Sequence, residues 1–331
     1  MTEPLSQRRA RIRIGAHEPG GPLVDYLAAR FSYHDREEWQ EHVRLGHLLV
    51  NRRTATEASE LAPGDLLEFC VPHAQEPPVD TRYTTLFQDD ALLVVDKPAD
   101  LPCHPGGRYY RNTLWGLLRQ QHGSDAYLAL MNRIDRETSG LVLVARARWA
   151  ARDLGRQFQR HTVSKRYIAL VEGRFPMGTL EAWGVLAPDT TSAVRKRRRF
   201  HPNLVPESFE GKAEACRTTL TGVKQAGGIT CMEAVPHTGR LHQIRATLSG
   251  LGYPVVGDKI YGVDEGCFLR FIQGGLKPKD LDRLRLPRQA LHAAELRIRH
   301  PATGQALRFR SELPEDMRAL LRACENAGIS P

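Results

Sequence analysis

Apolar and polar positions change period several times along the chain, and each period predicts a different element. Val24, Leu27, Ala28 and Phe31 recur at helical spacing, and a second helical stretch covers roughly 36–45. Gly46 ends that helix, residues 47–51 read as a short strand, and Pro63-Gly64-Asp65 makes a turn into a strand over 66–71. Two adjacent prolines, Pro77 and Pro78, interrupt every periodicity in the stretch 71–85. Beyond it, 86–87 and 91–96 read as strands, and a helix is expected near 113–121. Two apolar strand candidates, 127–131 and 141–147, flank the polar loop 132–140. A helix is predicted over 149–160 and a strand over 166–172. Alternation on both sides of Pro301 to Gly304 predicts a hairpin. No fixed-period repeat occurs, so the chain reads as α+β, built mainly on antiparallel strands.

The expected division follows from these patterns. A flexible basic tail (1–19) precedes a small α+β module (20–71), a linker (72–85), a larger strand-rich domain (86–320) and a C-terminal tail (321–331).

Charge adds a partner to this outline. The 331 residues are 41% hydrophobic and 26% charged, and the formal net charge is +9. That excess points to a polyanion, most simply nucleic acid. It is uneven: residues 1–80 hold 9 Lys/Arg against 13 Asp/Glu, a net of −4, which leaves +13 for the remainder. No apolar run approaches the ~20 residues that span a bilayer, so no membrane partner is expected. The N-terminal arginines have no apolar stretch behind them, so no secretory signal is expected either. Six scattered cysteines without a C-x-x-C pair read as reduced thiols of a cytoplasmic protein.

Cofactor signatures are missing. The chain has no phosphate-cradling G-x-x-x-x-G-K-[ST], no dinucleotide G-x-G-x-x-G between strand and helix, no H-E-x-x-H and no G-x-S-x-G. Cys231, His237 and His242 lack zinc spacing. The expected chemistry uses neither cofactor nor metal.

Three regions carry candidate chemistry. Asp135 lies in the polar loop beside Arg133, Arg136, Thr138 and Ser139, where a carboxylate next to arginines would stay ionised as a nucleophile or base must. The alternative is a turn aspartate capping local amides. In 237–245, Arg240, His242, Gln243 and Arg245 concentrate donors suited to phosphate or carboxylate groups; a polar turn entering a helix would look similar. Arg148, Arg152, Arg156 and Arg160 recur every four residues opposite Ala150, Leu154 and Phe158, an arginine stripe suited to phosphates or a solvated face. The run Arg195 to Arg199 reads as an exposed, mobile basic loop.

Together these blocks resemble RNA pseudouridine synthases of the RluA type. LLVVDKPADLPCHP (92–105), NRIDRETSGLVLVAR (132–146), KRYIALVEG (165–173), HTGRLHQIR with GYPVVGDKIYG (237–262) and LHAAELRIRHPATG (291–304) stand in that family's order. Residues 20–70 are also similar, more loosely, to the small S-four-type RNA-binding module named after a ribosomal protein.

The resemblance implies a mainly antiparallel, mixed-sheet catalytic domain that isomerises uridine in structured RNA without a cofactor. Ribosomal RNA is the first expected target and transfer RNA the next. It implies Asp135 as catalytic aspartate, Arg245 as its partner and Tyr167 as the active-site tyrosine. Arg133 would fill the space of a flipped base and Leu291 would line the uracil pocket, and Arg240, His242 and Gln243 are further candidates to bind the substrate. The stripe, with Arg52 and Arg53, would hold phosphates. Whether Asp135 forms a sugar adduct or drives a glycal-type elimination stays open. Two departures stand out: Asn132 replaces the usual histidine, and Asp100 stands where glycine is usual. A catalytically silent RNA-binding protein is the other reading; no DNA partner is expected, for want of a helix-turn-helix pattern, and the chain is expected to be a monomer.

Overall fold

Both N-terminal helices form where the apolar spacing predicts them. A computed structural model describes residues 7–18, 20–31, 34–72, 76–123 and 125–327. Its first unit, Met1–Pro78 with His104–Asp125, holds β1 (Gln7–Arg13), β2 (Gly21–Pro22), α1 (Leu23–Arg30), α2 (Arg36–Arg44), β3 (Leu48–Val50), β4 (Arg53–Thr54), β5 (Glu60–Leu61), β6 (Leu66–Pro72) and α3 (Leu114–His122). Asp35 starts α2 by accepting the Glu38 N–H at 2.8 Å, while the Glu38 carboxylate accepts the Asp35 N–H at 2.9 Å. This reciprocal cap satisfies two amides that a helix start leaves open. Leu23, Leu27, Trp39, Val43, Leu48 and Phe69 form one buried cluster.

Three expected boundaries are corrected here. Residues 7–13 are not part of a flexible tail: β1 pairs antiparallel with the whole of β6, which satisfies its backbone. Residues 104–125, expected in the larger domain, belong to the first unit. There the Glu76 carboxylate accepts the N–H groups of Tyr110, Arg111 and Asn112 at 2.7–2.8 Å, and Asn112 Nδ2 donates to the Pro77 carbonyl. Residues 321–327 are not a tail but the end of a helix whose first turn begins at Glu315.

The second unit, Val79–Cys103 with Ala126–Pro331, holds β7 (Thr84–Gln88), β8 (Leu92–Lys97), β9 (Ala129–Leu130), β10 (Ser139–Ala145), α4 (Arg148–Gln159), β11 (Ser164–Glu172), β12 (Gly178–Pro188), β13 (Arg198–Pro202), β14 (Glu214–Ala226), β15 (Ile229–Pro236), α5 (Gln243–Gly250), α6 (Gly266–Gln273), α7 (Pro278–Leu284), β16 (Leu291–Arg299), β17 (Ala306–Arg310) and α8 (Glu315–Ala327). One sheet runs β13-β12-β14-β15-β11-β16-β10-β8-β7, with β17 on β16 and β9 on β10. Every pairing in it is antiparallel except β10 with β16, so the sheet is mixed and mainly antiparallel, as expected.

The β10–β16 junction is close. Gly140 has φ +109, and a Cβ there would stand 2.3 Å from the Ala293 carbonyl oxygen, so only glycine fits. Every residue of β10 is buried, consistent with its unbroken apolar run. Leu92, Val94, Leu141 and Leu143 pack with Ala150 and Leu154 of α4 and with Leu296 and Ile298 of β16. No helix among the described residues is long and apolar enough to cross a membrane.

Candidate active site

Asp135 sits between β9 and β10, where the Thr138 N–H donates to its carbonyl at 3.1 Å and closes a turn. Its carboxylate caps no local amide among the described residues. Instead Oδ2 accepts from Arg245 Nη1 at 2.7 Å and from Gln289 Nε2 at 3.2 Å, and His242 Nε2 stands 3.9 Å from Oδ1. The turn-capping alternative therefore fails, because the side chain is turned to groups over a hundred positions away in the chain.

Arg245 is itself held. It projects from the first turn of α5, and its Nε and Nη2 donate to Asp258 Oδ2 and Oδ1 at 2.6 and 2.8 Å. The two-pronged pair fixes the guanidinium plane and leaves Nη1 for Asp135. Asp258 also accepts the N–H groups of Ile260 and Tyr261. The preceding Gly257, at φ +74, allows this turn to pass within 1.9 Å, for a hypothetical Cβ, of the Arg288 carbonyl oxygen.

Electrostatics follow from these contacts. Burial would raise the Asp135 carboxyl, but the Arg245 charge beside it overrides this and holds it well below the usual carboxylate range. His242, at φ +55 ahead of α5, bonds Tyr261 Oη through Nδ1 at 3.0 Å. Burial, then the Arg245 charge, push its imidazole down to about 4, so it is neutral at pH 7. Burial and then the Asp135 charge push the Tyr167 phenol up, so it remains protonated.

A cavity of about 340 Å³ opens beside Asp135, at the small end of the ~300–1,000 Å³ typical of ligand pockets. All eight residues expected at the substrate line it: Asp135, Tyr167 and Arg245, with Arg133, Arg240, His242, Gln243 and Leu291. They differ in what they can offer. Arg133 is exposed at the rim and Leu291 is buried in the wall. Arg240 is partly engaged by Glu214 and the Ala215 carbonyl. Gln243 spends its carboxamide within the protein: Oε1 accepts from Thr238 Oγ1 and the Arg240 N–H, and Nε2 donates to the Arg217 carbonyl and Thr218. It shapes the 238–240 turn instead of donating to a substrate, which corrects its expected role.

Asp258, Tyr261 and Gln289 were not singled out from the sequence. Asp258 and Tyr261 lie inside GYPVVGDKIYG, whose one carboxylate after glycine in apolar surroundings was the available signal. The two departures have local accounts. Asn132 ties the loop to β10, donating to the Leu141 carbonyl and accepting the Leu143 N–H. Asp100 has φ +59, the conformation glycine adopts freely, and faces Arg136 at 3.4 Å.

The expected phosphate contacts divide. Arg148, Arg152, Arg156 and Arg160 are exposed along α4, and none forms an ion pair among the described residues. Arg148 lies over the Tyr127 ring. In the first unit, Arg52 (φ +67) and Arg53 are exposed on the β3–β4 turn. The run Arg195 to Arg199 is an exposed loop only in its first part: Arg195 and Lys196 are exposed in a turn, and the rest is tied into the fold. Arg198 and Arg199 belong to β13, Arg197 pairs with Asp189 and Glu265, and the Arg198 N–H donates to Tyr261 Oη. Asp264, Cys267 and Asp280 have their ligand atoms within 4.8 Å of one another, but Arg270 donates to both carboxylates and takes the central position a cation would need.

The model of the RNA pseudouridylate synthase family matches residues 91–250. The chain is 37% identical over 245 residues to ribosomal large subunit pseudouridine synthase D of Nitrosomonas europaea, covering 73% of this chain and 65% of that protein. It is 31% identical over 330 residues to ribosomal large subunit pseudouridine synthase C of Yersinia pestis, covering 96% and 97%. Among solved structures, human RNA pseudouridylate synthase domain containing 1 aligns with a TM-score of 0.56 at 25% identity, over 76% of this chain and 90% of that one.

Proposed function

The chain belongs to the RNA pseudouridylate synthase family, and from that premise we propose that it isomerises uridine in ribosomal RNA to pseudouridine. The observation that carries this is Asp135, kept ionised by an arginine that a second, buried aspartate holds in place, at the wall of a cavity of about 340 Å³.

The reaction breaks the bond from ribose C1′ to N1 of uracil and forms one from C1′ to C5. C5 loses its hydrogen to solvent and N1 gains one, so no oxidant or energy source is consumed. The target base must leave its stack, at a cost of a few kcal/mol. Exposed Arg133 at the rim takes the vacated space. Asp135 acts on the ribose, and Arg245 keeps its charge and aim. The Tyr167 ring stacks on the uracil beside Leu291, and its protonated hydroxyl is a donor to the detached base. Neutral His242 adds no competing positive charge beside Asp135. The exposed arginines of α4 hold phosphates.

The two bacterial relatives are named for the ribosomal large subunit, and a surplus of +13 beyond residue 80 suits a large folded RNA. The test uses ribosomal RNA transcribed with uridine tritiated at C5. The protein should release tritium, and Asp135→Asn should lower that release at least about 10³-fold while RNA affinity stays within several-fold, since shape is kept and charge lost. Near-normal release by the variant would overturn the assignment of Asp135; no release by the unaltered protein on any cellular RNA would overturn the activity.

A further inference from the structure

Glu295, in the middle of β16, gathers four arginines. Its carboxylate accepts from Arg297 Nε at 2.6 Å, Arg308 Nη2 at 2.6 Å, Arg310 Nε at 3.3 Å and Arg166 Nη2 at 3.4 Å. Arg166 is shared with Glu233. The Glu295 side chain is 4% exposed, whereas those of Arg297, Arg308 and Arg310 are 54%, 45% and 63% exposed. Each guanidinium carries five N–H donors, far more than two carboxylates can accept. The surplus is positive charge and open donors, held in fixed directions.

A structural role does not account for all four. Arg297 stands directly opposite Arg308 in the β16–β17 pairing, where like charges are unfavourable. Charges on an edge strand discourage stray pairing, which would explain Arg308 and Arg310 on β17. It does not explain Arg297 and Arg166, which lie on inner strands. Burial opposes the charge of Glu295, but Arg308 and Arg297 hold its carboxyl down to about 2, so the cluster stays assembled at neutral pH.

The cluster faces away from the cavity. Leu296 and Ile298 pack with α4, and Lys165 and Tyr167 line the cavity. Strand side chains alternate, so Glu295, Arg297 and the intervening Arg166 project from the other face of the sheet. Guanidinium groups pre-oriented by a carboxylate match phosphate oxygens in pairs.

We propose that this arginine face binds the phosphate backbone of a part of the RNA substrate away from the target nucleotide, so that one folded RNA is held on both faces of the sheet. The inference rests on the reading of the chain as an RNA-modifying enzyme and adds a second, remote contact to it.

The test compares the full-length protein with Arg297→Gln/Arg308→Gln and with Arg310→Gln alone. The last removes one exposed side chain and leaves Glu295 three partners, so it decides the matter should the double variant fail to fold. Binding to transcribed large-subunit ribosomal RNA is titrated with salt, and turnover is measured on a short uridine-containing hairpin. Loss of two phosphate contacts should flatten the log–log salt slope by about 1.4 to 1.8, and loss of one by about half that, with hairpin turnover within twofold. An unchanged slope in both variants would overturn the proposal. So would a variant that keeps its RNA slope but loses binding to poly-L-glutamate, which would make the partner an acidic polypeptide. A protein that binds RNA through these arginines yet forms no pseudouridine would instead sink the proposed activity and leave this surface standing.

Discussion

At the scale of single residues, the site is a set of opposed protonation preferences. Asp135 is held ionised, while Tyr167 is held protonated and His242 neutral. Tyr167→Phe separates ring from hydroxyl. Stacking, worth roughly 1–3 kcal/mol per base, survives the change, so KM should stay within twofold. If the hydroxyl donates a proton, kcat should fall about 10²-fold, and single-turnover kinetics at saturating RNA will read this directly. His242 makes a pH prediction. Its pKa falls from an ordinary 6.5 to about 4 on folding, so between these values the unfolded chain binds more protons than the fold. The stability from keeping it neutral is complete above pH 6.5 and drains away as pH drops towards 4, by at most about 3 kcal/mol. Asp135 has the same sign, but its loss begins only below about pH 4. Urea midpoints should therefore decline from pH 7 to pH 4.5, and His242→Asn should flatten that decline; an equally steep variant would show that His242 is not its source.

At the scale of elements, α4 divides its work between two faces. Ala150 and Leu154 are buried against the sheet, and the arginines four apart point to solvent. Asp153, the nearest acid, already accepts from Gln157, which in turn bonds the backbone of Arg299. The stripe thus repels itself unless an anion lies along it. Arg152→Gln/Arg156→Gln should flatten the salt dependence of RNA binding by about 1.4 to 1.8 and leave kcat at saturation unchanged. A fall in kcat with an unaltered slope would place these arginines in the chemistry instead. The basic run ending at Arg199 shows how charge depends on context: Arg197 pairs with Asp189 and Glu265, and Arg199 faces the same Asp189 at 3.4 Å.

At the scale of the whole molecule, net charge assigns the bulk attraction for RNA to residues beyond 80, because the first eighty carry −4. Arg52 and Arg53 would then set register without adding much attraction. Arg52→Gln/Arg53→Gln should lower kcat/KM on a large folded ribosomal RNA while leaving non-specific binding and kcat on a short hairpin nearly intact. A large loss of salt slope would show that local arrangement outweighs net charge. Removing residues 1–80 is a poorer test, since 104–125 packs with them and Glu76 secures Tyr110, Arg111 and Asn112. Much of this protein was legible in one dimension. The periods of apolar residues located α1, α2, α4 and the β16–β17 hairpin, because local burial patterns repeat along the chain. The loop of Asp135 and the donor-rich turn before α5 were visible as concentrated chemistry, and the family resemblance added Tyr167 and Leu291, which completes eight of the residues lining the cavity. What needed three dimensions was pairing between distant residues. Asp258 looked like one more turn aspartate until folding buried it against Arg245. Gln243 looked like a substrate donor until its four hydrogen bonds were all found inside the protein. The four arginines on Glu295 come from three strands, and β1 looked like a tail because its partner strand begins more than fifty residues later. Local propensity and periodicity are written residue by residue, whereas ion pairs, sheet order and the sharing of donors depend on which segments meet.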